Sequence, residues 1–128
     1  MAKKLLIVDD EPHIRMLLHQ TLEELEDADV EILTAQDGIE ALEIIEAESP
    51  SLVFLDVMMP RMNGFDVCDR VKNQLKREDI YIIMLTAKGQ ESDKHQGKSV
   101  GADHFMSKPF DPDEVFAKAK EVLEVDLS

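Results

Sequence analysis

The sequence predicts an α/β domain built on a doubly wound, five-stranded parallel sheet in the order 2-1-3-4-5, with helices on both faces. Three observations predict it. Short apolar runs alternate five times with helical repeats, the pattern of βα units joined by right-handed crossovers. Three of those runs are apolar throughout, as strands covered on both faces are, whereas the other two carry polar residues and belong at the edges. The length of 128 residues suits one domain with a sizeable core.

Each element follows in order. Leu5–Val8 is the first strand. Its position behind Met1-Ala2-Lys3-Lys4 has the look of an export signal. The apolar stretch stops after four residues at Asp9-Asp10-Glu11, too short for a signal core. Pro12 opens the first helix, where its missing N–H would be unpaired anyway. Ile14, Leu17, Leu18, Thr21, Leu22 and Leu25 mark its inward face by their i, i+3, i+4, i+7 spacing. Val30–Ala35, with Glu31 and Thr34, reads as an edge strand. Asp37 and Glu40 have capping-box-like spacing ahead of a second helix, with Ile39, Leu42 and Ile45 turned inward.

Leu52–Leu55 is a central strand. Asn63-Gly64 turns into a third helix that buries Phe65, Cys68, Val71 and Leu75. Ile80–Leu85 is the other central strand. Gln90–Ser99 holds no large apolar residue and includes Gly97, so it is expected to be the least firmly docked helix and a moving part. Asp103–Ser107, carrying Asp103, His104 and Ser107, is the second edge strand. Asp111 and Glu114 again have capping-box-like spacing, with Pro112 at the first helical position. The fifth helix turns Val115, Phe116, Ala119, Val122 and Leu123 inward. Residues 1–125 form the domain, and 126–128 are a tail or a truncation point.

Bulk properties narrow the function. The longest apolar run is far too short to cross a bilayer. Cys68 is the lone cysteine and forms no internal disulfide, which predicts a cytoplasmic location. It falls on the apolar face of the third helix and reads as core. A formal net charge of −14 would repel a phosphate backbone, so neither direct nucleic-acid binding nor a membrane role is expected. His13, His19, His95 and His104 lack metal-ligand spacing and read as surface or packing residues.

The acidity has one part that solubility does not explain. In an open parallel sheet, ligands bind beyond the carboxyl ends of the strands where the order reverses, here between strands 1 and 3. Asp9-Asp10 and Asp56 leave those strands. Two unit charges at 4 Å repel by about 4 kcal/mol at an effective dielectric near 20, so three carboxylates in one crevice need a partner. A hard dication such as Mg²⁺ suits them. Thr86 at the end of strand 4 offers a hydroxyl, and Lys108 at the end of strand 5 a mobile cation. Metal, cation, hydroxyl and carboxylate nucleophile together make a phosphoryl-transfer site.

These residues also carry a resemblance. Asp9-Asp10, the Asp56…Met59-Pro60…Gly64 stretch, Thr86-Ala87 and Lys108-Pro109 resemble the CheY-like receiver domain of two-component response regulators, with matching spacing over essentially the whole chain. That family shares the flavodoxin-like 2-1-3-4-5 sheet, so resemblance and strand composition support the order together. The resemblance implies that Asp56 is the phosphoacceptor. Mg²⁺, or Mn²⁺ in its place, would be held by Asp10, Asp56, the Met58 carbonyl and, through a water, Asp9. Lys108 and Thr86 would contact the phosphoryl group, and the Lys108–Pro109 bond would be cis. Phe105 would turn inward as Thr86 moves, altering the surface of helix 4, strand 5 and helix 5. Met58 and Lys88 stand where family members tune the access of hydrolytic water.

The implied partners are a sensor histidine kinase or histidine phosphotransfer protein, and a downstream effector or an output domain beyond this chain. The domain would be a monomer or a phosphorylation-dependent dimer. It would catalyse only its own phosphorylation and slow dephosphorylation, without turnover. Two alternatives are an aspartyl-phosphate hydrolase of the haloacid-dehalogenase type and a pseudo-receiver that is never phosphorylated. The first would want a second acid where Met58 stands. The second would not need the complete residue set. A nucleotide or flavin binder on the same fold would need a Gly/Ser/Thr-rich loop where Asp9-Asp10-Glu11-Pro12 lies.

Overall fold

The computed structural model describes residues 3–87 and 91–125. Lys88, Gln90 and the 126–128 tail, all named above, lie outside the described residues.

The sheet is parallel, in the order β2-β1-β3-β4-β5. Its strands are β1 (Lys3–Val8), β2 (Val30–Ala35), β3 (Leu52–Asp56), β4 (Tyr81–Ala87) and β5 (His104–Lys108). All five residues of β3 are buried, as are the last four of β1 and five of the seven in β4. The edge strands β2 and β5 have only two and one buried residues. Burial on both faces therefore follows apolar content strand by strand, as parallel sheets require.

Helices α1 (Pro12–Leu22) and α5 (Pro112–Leu123) cover one face, closing a core of Leu5, Ile7, Leu18, Leu22, Phe54, Ile83 and Val115. Helices α2 (Gly38–Glu48), α3 (Gly64–Asp69) and α4 (Glu91–Ser99) cover the other, around Leu6, Val8, Val53, Leu55, Phe65, Val71 and Met84. Asp37 caps α2 by accepting from the Glu40 N–H at 2.9 Å. Asn63 caps α3 in the same way through Asp66. Asp111 caps α5 by accepting from Asp113 rather than Glu114, one residue short of the box spacing.

Three expectations need correction. Leu17 and Ile39, placed inward by their spacing, are 45% and 39% exposed. The stripe α1 buries is narrower, centred on Leu18 and Leu22, and α2 buries Gly38, Ala41 and Ile45 instead. The third helix is also not uniform. Beyond Asp69 it continues as a π-helical turn, Arg70–Gln74, whose closing bond runs from the Leu75 N–H to the Arg70 carbonyl at 2.8 Å. That wider turn buries Lys72, which pairs with Asp103 at 2.8 Å.

Candidate functional site

The site stands where β1 and β3 lie side by side and their connections leave in opposite directions. The register pairs Val8 with Leu55, so the next residues, Asp9 and Asp56, emerge together at the carboxyl rim. On the far side Asp56 pairs with Leu85, the residue before Thr86. Thr86 in turn pairs with Ser107, and Ala87 with Lys108. Strand register alone thus gathers an acid pair, a third acid, a hydroxyl and an amine.

Asp9, Asp10 and Asp56 each offer a carboxylate oxygen within 4.8 Å of the others. Asp9 and Asp56 are buried, whereas Asp10 faces solvent. Lys108 bridges the two buried acids. Its Nζ lies 2.8 Å from Asp9 Oδ2, an ion pair without hydrogen-bond alignment, and donates to Asp56 Oδ1 at 3.1 Å. One ammonium cannot neutralise two buried carboxylates. Burial, then the charge of Asp9, pushes the Asp56 carboxyl up to about 7 against the opposing pull of Lys108. Burial also pulls the Lys108 ammonium down, but Asp9 and Asp56 outweigh it, and its pKa is raised.

The donor set fits a hard divalent ion: three carboxylates, one of them open to water, with a residual negative charge that Lys108 leaves uncompensated. The Thr86 hydroxyl is the second sign of an expected ligand. Thr86 is 1% exposed and its Oγ1 has no hydrogen-bond partner among the described residues, a state that costs roughly 1–3 kcal/mol for a buried polar group.

The surrounding loops hold this arrangement. Gly64 N–H donates to the Val57 carbonyl at 2.9 Å, and a Cβ at position 64 would stand 2.3 Å from the Asp56 carbonyl oxygen. Only glycine lets α3 begin so close behind the acid. The Lys108–Pro109 peptide is cis. Met58 is 73% exposed on the rim directly after Val57. Phe105 is half-buried, with its ring on the α4 side of the sheet.

Arg15 was not singled out by the sequence. Its Nη1 donates to the Asp9 carbonyl at 2.6 Å and braces the β1–α1 turn; an arginine one turn into a surface helix carries no spacing signal. Cys68 is buried, and burial pushes its thiol up to about 12, so it is core. A groove of about 660 Å³ between α1 and α5 contains none of the site residues.

Comparison with known proteins bears on this geometry. The family model described as "response regulator receiver domain" matches residues 5–120. The alkaline phosphatase synthesis transcriptional regulatory protein PhoP of Bacillus subtilis is 46% identical over 123 residues, which are 96% of this chain and 49% of that protein. The chain thus spans about half the length of the curated relative. Among solved structures, chemotaxis protein CheY4 of Vibrio cholerae superposes with a TM-score of 0.82 at 35% identity, covering 95% of this chain and 99% of that one. The receiver domain of NtrX from Brucella abortus gives 0.80 at 33%, covering 94% and 98%. Among the described residues, no helix is long and apolar enough to cross a membrane.

Proposed function

The chain belongs to the response regulator receiver domain family of two-component systems, and from that premise we propose that Asp56 is its phosphoacceptor. The observation that carries the proposal is the meeting of Asp56 with two further carboxylates and the Lys108 ammonium at one strand-end rim. Asp10, Asp56 and the Met58 carbonyl would hold Mg²⁺, or Mn²⁺, with Asp9 acting through a bound water. Such an ion, when bound, supplies positive charge to the oxygens of the transferring group and lets Asp56 ionise at neutral pH.

The chain's own residues do the rest. The Asp56 carboxylate oxygen attacks phosphorus in line, on a phosphohistidine of a partner kinase or phosphotransfer protein or on a small acyl phosphate. The P–N or P–O bond to the donor breaks, and its electron pair leaves with the donor. Lys108, already 3.1 Å from Asp56, neutralises charge on the phosphoryl oxygens. The buried Thr86 hydroxyl gains an acceptor there, which draws Thr86 toward the site. Space beside β5 then opens to Phe105, and the surface of α4, β5 and α5 changes for a downstream effector or output domain.

The test is intact-mass analysis of the chain with acetyl phosphate and Mg²⁺. One phosphoryl adduct forms on the wild type and none on Asp56→Asn. Catalytic release of phosphate, or an adduct that persists in Asp56→Asn, would overturn the reading.

A further inference from the structure

Helix α4 is attached to the domain unevenly. Its C-terminal end is tied to α3. The Val100 carbonyl accepts from Asn73 Nδ2 at 3.2 Å and from the Cys68 thiol at 3.6 Å. Asp103, just beyond, pairs with Lys72 and accepts from the Ile82 N–H at 2.8 Å. From Glu91 to Gln96 no residue of α4 is buried, and the helix buries Gly97 alone. What Gly97 rests on is the ring of Phe105, with Met84 beside it on the next strand. A Cβ at position 97 would stand 2.5 Å from Phe105 Cε1, 3.0 Å from Cζ and 2.9 Å from Met84 Sδ. A Cβ fits there only if the ring moves and Met84 Sδ, the milder contact, gives by a fraction of an ångström.

Glycine in a helix interior is unfavourable by itself, so its presence needs a reason. The geometry points to one: Gly97 is the seat of the Phe105 ring, a positioning residue that makes the ring's placement and the docking of α4 a single coupled equilibrium. With its C-terminal end tied and no buried residue before Gly97, the helix meets the Phe105 ring at its one buried position, where β5 can move it. The ring rests on bare backbone there, with Met84 beside it. This deepens the switch described above, and its signalling meaning rests on that reading.

A double-mutant cycle on the full chain tests it. Gly97→Ala lowers the urea midpoint in the wild-type background, or shifts the aromatic NMR signals of Phe105 away from their wild-type positions. In a Phe105→Ala background the same substitution raises the midpoint, because the ring is gone, the flexible Met84 side chain yields, and the helix preference for alanine decides. An equal rise in both backgrounds with unmoved Phe105 signals overturns the inference. Loss of folding in both backgrounds also overturns it, since the clash then lies with Met84. Intact-mass analysis of the same proteins with acetyl phosphate is a separate arm. Absence of any Asp56 adduct defeats the phosphoacceptor reading, whatever the midpoints show.

Discussion

The ammonium of Lys108 lies 2.8 Å from Oδ2 of Asp9, a residue with no solvent exposure. Removing one partner of a buried pair is costly because the other charge is left uncompensated. Here the loss is limited, since Lys108 is partly exposed and Asp56 can take up a proton. Lys108→Ala therefore destabilises the metal-free protein by roughly 2 kcal/mol. Saturating Mg²⁺ recovers part of that. Urea denaturation with EDTA or Mg²⁺ measures both; an unchanged midpoint in EDTA would contradict the pairing.

The Asp56 carboxyl, pushed up to about 7, gives a pH signature. A carboxyl whose folded pKa is above its unfolded value favours folding most when protonated in both states. Its contribution is lost as pH rises from about 4 through about 7. Without metal, Asp56→Asn escapes this loss. It gains on the wild type by about 4 kcal/mol between pH 4 and pH 8, the order of magnitude of a rise from about 4 to about 7. Denaturation of both proteins in EDTA across that range checks it. A constant difference would mean that Asp56 titrates normally.

Thr86→Val keeps the side-chain shape and removes a buried hydroxyl with no partner among the described residues. It stabilises the resting protein by about 1 kcal/mol. The same change removes the donor proposed to engage the phosphoryl group, so differences between the NMR spectra of phosphorylated and unphosphorylated protein shrink at Phe105 and along α4. Destabilisation by Thr86→Val would show that the hydroxyl already has a partner at rest.

Met58 is 73% exposed two residues beyond Asp56, at the position that the family resemblance links to the access of hydrolytic water. An asparagine there can hold that water with one hydrogen bond, worth about 1 kcal/mol, or roughly fivefold in rate. Met58→Asn therefore shortens the half-life of the phosphoprotein about fivefold, as followed by the decay of the intact-mass adduct. An unaltered half-life would remove Met58 from the hydrolysis step.

The strands and the rim were legible because parallel strands buried on both faces write themselves as unbroken apolar runs, and residues that leave such runs are polar for a reason. Asp9, Asp10 and Asp56 stood out on that ground, and Thr86 and Lys108, common residues at strand ends, stood out only beside that acid cluster. Leu17 and Ile39 were misplaced because periodicity locates the centre of a helical stripe better than its width. On α2 the centre is held by Gly38 and Ala41, which carry little weight in a hydrophobic pattern. The π-turn after α3 left no mark in the sequence, and the Lys72–Asp103 pair that accompanies it joins residues far apart in the chain. Arg15 was hidden likewise, because its partner is a backbone carbonyl.

Thr86 and Lys108 are clamped on adjacent rungs of the β4–β5 ladder, while α4 presents to that ladder little more than a patch of bare main chain. On the proposed switch, reactivity and address would thereby be written in separate places. The outward side chains of α4 could be exchanged, and a different listener recruited, while the strand-end residues stay as they are.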